Sequence, residues 1–514
     1  MNYFSCNRTS KLSMFVLATL VLFAVELSRA QSADWNFCVR FLDNVHAKPF
    51  TGRVYLIFSR TRQEPRLGPS WFKPEIFVSR DVKNWKPDET LQFSSSQPGS
   101  MLAYPKPLAQ VSLVGYRAQA VIRFNPYVRE IGTGTGNGYS PVSNVVTQRA
   151  GQKIPEFVVD QIVASRRFTE TKWSKLFRIQ SKLLTEFHQR EMFLQASVVL
   201  PVSYYDEPER RYPTLFTIPG FGETHFLGFH ERSVKELNNC GVEFLSVILD
   251  PSCPMGHHVF ADSANNGPVG MALIAELLPA FDQKFRSIAQ PTARLLTGHS
   301  SGGWSSLWLQ VTYPDHFGGT WSTAPDPVDF RDFQRINLYN SAENMYIDSN
   351  GQSRPLARRG NRVLLWYKRF SDMEWTLGHG GQLHSFESVF SPRGNDGKPL
   401  LLWNRKTGEI NPQISKAWEK YDIRLILKHN WQSLGPKLAG KLHIFVGDQD
   451  TFYLEGATIL LKQSLEKLYS DAVIEIVPGK DHTNLLDGGL SSRIHYEMVE
   501  TILEKHPEAA GQKQ

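Results

Sequence analysis

A pentapeptide between a strand-like and a helix-like run constrains this chain more than any other feature. Gly298 to Gly302 read G-H-S-S-G, with the apolar run ARLLT before them and GWSSLWLQVTYP after them. The pattern G-x-S-x-G predicts a sharp turn that exposes the central serine, here Ser300, where a strand passes into a helix. Gly298 and Gly302 are needed because a Cβ atom at either position would collide with neighbouring backbone. A serine-rich helix N-terminus without chemistry is the structural alternative.

From about residue 185 onward, strand-like and helix-like runs alternate. The strand-like runs are YPTLFTIPG, VEFLSVILD, ARLLTG, GGTWSTA, KLHIFVG and AVIEIVPG, and the clearest helical runs are MALIAELLPAFDQKF and GGWSSLWLQVTYP. Such alternation predicts βαβ units on a mostly parallel sheet whose two faces are covered by helices. The predicted fold class is therefore α/β.

The 514 residues are enough for more than one domain. Residues 31–150 contain short β-rich runs separated by Gly, Pro and Ser clusters, which predict a small N-terminal β-sandwich. Residues 151–200 are interpreted as a connecting segment, and 201–506 as the main α/β domain. Within that domain residues 331–435 show weak periodicity. Because a structureless loop of this length is improbable, they predict an inserted, lid-like subdomain with some helices.

The first 30 residues follow the three-part pattern of a secretory signal peptide. Arg8 and Lys11 precede an apolar run at 14–27, and Ser28-Arg29-Ala30 forms a small-x-small cleavage site. A membrane anchor is the alternative, but the run is short for a bilayer span. We expect a secreted or periplasmic protein with no membrane span after signal cleavage.

The net charge argues against a nucleic-acid partner, whereas the cysteine content leaves disulfide formation open. The formal charge of +7 falls to about +5 without residues 1–30, which is too small and too scattered to indicate a nucleic-acid partner. Cys38, Cys240 and Cys253 remain after cleavage. A Cys240–Cys253 disulfide and free thiols are both open. No metal-ligand spacing such as CxxC is present, and the oligomeric state stays unknown.

The residues downstream of Ser300 include candidates for a base and an acid. A serine hydroxyl becomes a nucleophile when a base takes its proton and an acid orients that base. His482 follows the last predicted strand, whereas His495 lies in a predicted helix, so His482 is the expected base. Asp450, in the loop after KLHIFVG, is the expected acid. Asp448 is interpreted as a turn residue, and Asp326, one strand earlier, is the alternative acid.

Two backbone N–H groups are expected to hold the oxyanion that such chemistry creates. Ser301 directly follows the candidate nucleophile. Phe221 lies between Gly220 and Gly222 in the loop after an early strand, where glycines let backbone approach a ligand. A simple glycine turn is the alternative for this second loop.

The loop 250–268 follows another predicted strand end, where ligands collect in open α/β sheets. Its polar residues are candidates for lining a cleft, with loop packing or solvent exposure as the alternative; they are His257, His258, Asn265 and Asn266. The histidine pair has no carboxylate at a metal-binding spacing, so no metal site is predicted.

Together these residues resemble the putative-esterase branch of the α/β-hydrolases. That group includes enterochelin-esterase-like proteins, feruloyl and acetyl-xylan esterases, S-formylglutathione hydrolases and mycolyltransferases. The segments that carry the resemblance are YPTLFTIPGFG, FADSANNGPVGMALIAELLPAFDQKFR, LLTGHSSGGWSSLWLQVTYPDHFGG, GDQDTFYLEGA and GKDHTNL. The resemblance implies an α/β-hydrolase fold and a Ser-Asp-His triad. Family members often carry an N-terminal β-sandwich, but this chain departs from simple members at 331–435.

These features predict an exported serine hydrolase that cleaves carboxylic esters through an acyl-enzyme. No cofactor and no metal are required, and the expected substrate is a small-molecule or saccharide-linked ester. An acyltransferase with the same triad is one alternative. The other is a non-catalytic carbohydrate-binding protein on a hydrolase scaffold, with tryptophans of the insertion stacking on sugars; these are Trp366, Trp375, Trp403 and Trp418. The sequence does not define the acyl or alcohol specificity.

Overall fold

The computed structural model describes residues 35–145, 154–229 and 241–510. The chain divides into two compact units. The first holds residues up to 124 together with 137–163, and the second holds residues 125–136 together with those from 164 onward. The predicted signal peptide, 1–30, lies outside the described residues, and so does Cys240. No helix among the described residues is long and apolar enough to cross a membrane.

The first unit is built from two β-sheets. One has the strand order β4-β1-β9, and the other has the order β10-β7-β6-β2-β3-β5, with β8 also paired to β6. Large side chains of both sheets, such as Phe37, Phe93, Leu56 and Ile122, belong to one hydrophobic core. The β-sandwich stays a prediction. The strands are β1 (Asn36–Phe41), β2 (Phe50–Ser59), β3 (Ile76–Trp85), β4 (Leu91–Ser94), β5 (Leu102–Tyr104), β6 (Arg117–Ile122), β7 (Gly138–Tyr139), β8 (Ser143–Asn144), β9 (Glu156–Val159) and β10 (Gln161–Ile162).

The second unit is organised around an eight-stranded sheet. Its strands, in chain order, are β11 (Ser174–Gln180), β12 (Phe193–Val199), β13 (Thr214–Ile218), β14 (Leu245–Leu249), β17 (Arg294–His299), β18 (Gly319–Thr323), β21 (Leu442–Gly447) and β22 (Val473–Val477). Their order across the sheet is β11-β12-β14-β13-β17-β18-β21-β22. The six strands from β14 to β22 in this order run parallel, and β12 is antiparallel to both of its neighbours. Two small hairpins lie outside the sheet: β15 (Ser252–Cys253) with β16 (Gly256–His257), and β19 (Pro355–Arg359) with β20 (Arg362–Trp366).

The sheet begins earlier in the chain than the sequence pattern indicates. Residues 151–200, interpreted as a connecting segment, contain β11 and β12, which pair over seven residues. A short helix, α1 (Lys182–His188), connects these two strands, which pair in the antiparallel direction. The segment therefore differs from the parallel part of the sheet, where strands and helices alternate in βαβ units.

Consecutive residues of the central strands pack into different cores. Leu215 and Leu295 belong to one hydrophobic cluster, whereas Phe216 and Leu296 belong to another. A strand buried on both faces is typical of a parallel sheet covered by helices on each side. The helices are α2 (Val269–Ala272), continued by a π-helical turn (Leu273–Leu277) into α3 (Leu278–Lys284), then α4 (Ser301–Thr312), α9 (Glu455–Glu466) and α10 (Leu490–Lys505).

Residues 331–435 are folded and pack on the main sheet domain. They contain the β19–β20 hairpin and the helices α5 (Tyr367–Leu377), α6 (Gln382–Phe390), α7 (Pro412–Trp418) and α8 (Ile423–Leu438). Phe390 at the end of α6 lies against Trp304 of α4 and against Trp418, with ring centroids 5.3 and 5.1 Å apart. The insertion is therefore joined by aromatic packing to the helix that follows Ser300.

Candidate active site

Ser300 lies at a strained turn between β17 and α4. Its φ and ψ angles are 61° and −125°, a conformation that costs energy in a residue with a side chain. A Cβ atom on Gly298 would collide with the carbonyl of Gly302, and one on Gly302 would collide with the carbonyl oxygen of Ile218. Glycine at both positions therefore follows from the close approach of strand, turn and helix.

Asp450 and His482 meet at the ends of two adjacent strands. The loop after β21 carries Asp450 and the loop after β22 carries His482, and Nδ1 of the histidine is 2.8 Å from Oδ2 of the aspartate. Asp450 is fully buried and His482 is 9% exposed. The other carboxylate oxygen of Asp450 accepts a hydrogen bond from the Phe452 amide at 2.8 Å. Both oxygens are therefore held in fixed directions.

The environment of His482 favours its protonated form. Burial, the largest single effect, lowers the pKa of this imidazole, but the charge and hydrogen bond of Asp450 together with the charges of Asp326 and Asp481 outweigh it. The net result is a pKa above the ordinary value for histidine. A raised pKa makes His482 a better proton acceptor in a reaction that generates an imidazolium ion.

The residue before Ser300 in the chain contacts His482, but among the described residues no hydrogen bond joins Ser300 itself to that ring. The His299 ring, next in sequence to Ser300, lies 4.5 Å from the His482 ring between centroids. Among the residues the structure describes, the Ser300 hydroxyl has no hydrogen-bond partner, while its backbone N–H donates to Thr323 at 3.0 Å. Ser300 is partly exposed. Catalytic hydrogen bonds are often long in the absence of substrate, so this geometry leaves the serine available to a ligand.

Of the two residues expected to supply oxyanion N–H groups, Ser301 directly follows Ser300, and Phe221 lies in a loop that approaches Ser300 at Gly220. Ser301 is the first residue of α4. The loop 220–222 follows β13, and a Cβ atom on Gly220 would lie 3.7 Å from Cβ of Ser300. The Arg129 guanidinium covers the Phe221 ring at 4.9 Å and donates to the Gly222 carbonyl at 3.3 Å. No motif or periodic pattern in the sequence indicates Arg129.

Asp326, the alternative acid, bonds to Ser301 rather than to His482. The Ser301 hydroxyl donates to Asp326 Oδ2 at 2.5 Å, and Nε2 of Gln382 reaches the same oxygen at 3.3 Å. Burial raises the pKa of Asp326 to about 6, although the Ser301 hydrogen bond opposes the increase. Asp448 accepts a hydrogen bond from the Gly479 amide at 2.7 Å, which is a loop-bonding role.

The histidines of the loop 250–268 are hydrogen-bonded within the loop and, for His257, to the end of the neighbouring strand β13. Nε2 of His257 is 3.0 Å from the Pro219 carbonyl, while its Nδ1 accepts from the Val259 amide. Burial lowers the pKa of His257 to about 3 and that of His258 to about 4, so both rings are neutral. The amide of Asn265 donates to the carbonyls of Ser388 and Ser391 in the insertion.

The remaining candidate residues from the sequence are one histidine, four tryptophans and one cysteine. His495 is on α10, with its ring perpendicular to Phe244 at 6.5 Å. Trp403 and Trp418 are buried and therefore not available for stacking on a sugar, whereas Trp366 and Trp375 are partly exposed, at 37% and 43%. Cys253 forms no disulfide with a described residue and lies 3.7 Å from Oδ1 of Asn266.

A cavity of about 380 Å³ opens in the second unit between the β11–β12 edge and the loop 250–258. Its lining includes Arg178, Phe193, Asp250, Cys253 and Arg129. Neither Ser300, Asp450 nor His482 lines it. The cavity is therefore separate from the candidate catalytic side chains, although Arg129 contacts both it and the loop 220–222.

A family model described as "Putative esterase" matches residues 189–483, which is more than half of the chain. Similar solved structures include a ferulic acid esterase (15% identity, TM-score 0.37, 64% of this chain and 99% of that chain). They also include an S-formylglutathione hydrolase from Agrobacterium tumefaciens (15%, 0.36, 66% and 95%). A third is FphF, a fluorophosphonate-binding serine hydrolase of Staphylococcus aureus (14%, 0.39, 63% and 98%).

A curated protein, the cytochrome P450 monooxygenase ccsG of Aspergillus clavatus, is 28% identical over 183 residues, which are 34% of this chain and 36% of that protein. The chain thus spans about a third of the length of the curated relative it matches.

Proposed function

The chain belongs to the putative-esterase family of α/β-hydrolases, and from this premise we propose that it is an exported serine esterase. It is a carboxylic ester hydrolase. In our proposal Ser300 is the nucleophile, His482 is the general base and Asp450 is the acid that orients the histidine. The N-terminal pattern of residues 1–30 supports export.

The proposed reaction proceeds through an acyl-enzyme. Ser300 Oγ attacks the ester carbonyl carbon as its proton passes to Nε2 of His482, and the carbonyl oxygen becomes an oxyanion. The amides of Ser301 and Phe221 donate to that oxyanion. As the tetrahedral intermediate collapses, the alkoxide leaves with the proton from His482. Water then attacks the acyl-serine by the same steps and releases the acid.

The hydrogen bond between Asp450 and His482 is the observation that carries this proposal. With Nδ1 of the imidazole donating to Oδ2 of Asp450, Nε2 is the unprotonated nitrogen that can accept a proton. Asp450 is negatively charged and buried, so it also stabilises the imidazolium that forms when Ser300 is deprotonated.

The expected substrate is a small-molecule or saccharide-linked ester. The partly exposed position of Ser300 supports direct access of an ester to its hydroxyl. The insertion at 331–435 contacts the turn through Gln382, whose Nε2 is 3.2 Å from the Ser301 hydroxyl. We therefore expect the insertion to form part of the wall around the ester.

Steady-state hydrolysis of p-nitrophenyl esters tests the proposal. S300A is expected to lower kcat by about 10⁶-fold, because the hydroxyl, base and acid act as one unit. S301A is the matched control: it keeps the backbone N–H and is expected to retain most of the rate. Equal activity of S300A and wild type would contradict the proposal. Transfer of the acyl group to an added alcohol in preference to water would indicate an acyltransferase.

A further inference from the structure

An arginine of the insertion is bonded to the loop that carries Asp450. Arg358, in β19, donates from Nε to the Asp450 carbonyl at 3.1 Å and from Nη2 to the Asp448 carbonyl at 3.3 Å. The same Nη2 bonds to Oε1 of Glu455 at 2.6 Å, and the Arg358 amide donates to the Thr451 carbonyl at 2.8 Å. One residue therefore makes four hydrogen bonds to the stretch 448–455.

We propose that Arg358 is a positioning residue for the catalytic acid, so that the insertion at 331–435 is a working part of the active site. This inference rests on the proposed function. Arg358 does not touch reacting atoms: it fixes the backbone at 448–455, which sets the direction of the Asp450 carboxylate and, through it, of the His482 ring.

The loop held by Arg358 contains a strained residue. Tyr453 has a φ angle of 59°, a left-handed conformation that a residue with a side chain adopts only when its surroundings hold it there. The Arg358 guanidinium covers the Tyr453 ring at 4.5 Å, and its ion pair with Glu455 is only 18% exposed on each side. The stacking and the partly buried ion pair supply such surroundings.

The hairpin that carries Arg358 is itself anchored to the insertion. Arg354, at the start of the hairpin, donates from Nε to the carbonyls of Asn344 and Ile347 and from Nη1 to that of Arg335, and it pairs with Glu343. Arg354 is buried. Because these contacts hold the hairpin in place within the insertion, Arg358 links the position of the insertion to that of the loop 448–455, which carries Asp450.

The titratable groups around His482 determine how its pKa would change if the loop 448–455 were displaced. They are Asp450, Asp326 and Asp481, which raise its pKa, and the neighbouring His299, whose own pKa is lowered to about 4 by burial and by the His482 charge. Of the three carboxylates, Asp450 has the largest effect. Movement of Asp450 away from the ring therefore lowers the pKa of His482, because burial, which favours the neutral form, is then less opposed.

The experiment compares R358Q, R358K and R362Q in the full-length protein. Arg362 is an exposed arginine in the paired strand β20, so R362Q is a matched control. For R358Q we expect kcat to fall about 10- to 100-fold with little change in KM, because a displacement of about 1 Å can cost 10²-fold. The acid limb of the kcat/KM profile is expected to shift to lower pH. R358K keeps the positive charge but loses the planar guanidinium, which bonds through two nitrogens. Its kcat and acid limb are expected to lie between those of wild type and R358Q.

The outcomes separate this inference from the proposed function. Activity that survives S300A refutes the proposed function and this inference with it. Activity that depends on Ser300, with R358Q and R358K matching R362Q in kcat and in the acid limb, refutes the inference alone. Melting temperatures are measured for all variants; if R358Q does not fold, R358K decides by the same two readouts.

Discussion

Asp326→Asn is expected to stabilise the protein relative to wild type, and to do so by more at neutral pH than at acidic pH. The Asp326 carboxylate is 7% exposed, and its pKa of about 6 lies well above the ordinary value of 3.8. Burial is the main cause, so the folded chain holds this carboxylate in its charged form at a cost. Asparagine has the same shape and no charge, and its Oδ1 can accept the Ser301 hydroxyl proton in place of Oδ2.

The size of the effect follows from the two pKa values. A group with a pKa of about 6 in the folded state and 3.8 in the unfolded state destabilises folding by about 3 kcal/mol when both states are ionised. Because the folded pKa is raised, the destabilisation grows as pH rises from 3.8 to 6 and is constant above. D326N removes it, which gives a gain of about 3 kcal/mol at pH 8 and about half of that at pH 5.

Scanning calorimetry at pH 5 and pH 8 measures this difference. D326N is expected to have the higher melting temperature for the transition of the second unit, with the larger margin at pH 8. The control is D372N, which removes the carboxylate that pairs with Lys368 at a site 46% exposed on the aspartate side. That control is expected to show little dependence on pH.

A margin for D326N that is equal at the two pH values, or larger at pH 5, would refute this reasoning. So would a melting temperature below that of wild type at pH 8. Such results would mean that the hydrogen bonds from Ser301 and Gln382 outweigh the burial of the charge.

Three further predictions concern the catalytic residues. D450N is expected to lower kcat by about 10⁴-fold in stopped assays while the fold is retained, because the amide favours the wrong tautomer of His482; a loss below tenfold would contradict this. The acid limb of the wild-type kcat/KM profile is expected above pH 6.5, since the base must be neutral and its pKa is raised; a midpoint below 6 would not fit. G302A is expected to give insoluble or unlabelled protein, because the new Cβ atom meets the Ile218 carbonyl oxygen, whereas G99A, at a position with open space and no positive φ, tests the effect of adding a methyl group alone.

The turn at Ser300 and the residues that follow the strand ends were predictable because each depends on a recognisable sequence pattern. Gly298 is required by contacts within the turn and Gly302 by the adjacent strand end at Ile218, and the pentapeptide pattern indicates both because this strand–turn–helix arrangement always brings these backbones close. His482 and Asp450 follow two apolar strands that pair in parallel, and parallel neighbours end at the same edge of a sheet. Their hydrogen bond is therefore a consequence of strand order.

The contacts of the insertion could not be predicted in the same way. Arg358 and Gln382 reach the acid loop and the turn from about 80 to 90 residues away in sequence, and neither belongs to a periodic pattern. Arg129, in the segment 125–136 of the second unit, likewise reaches the loop 220–222 from about 90 residues away in sequence. Long-range side-chain contacts of this kind depend on how the insertion packs, and here that packing is carried by aromatic residues such as Phe390 and Trp418.

The most direct test of the triad is to map the residue that a fluorophosphonate modifies. After reaction with excess probe, peptide mass spectrometry distinguishes an adduct on Ser300 from one on Ser301. We predict a single adduct, on Ser300, that is absent from S300A and strongly slowed in a His482→Ala variant. An adduct on another residue, or labelling that persists in S300A, would contradict the assignment of the nucleophile.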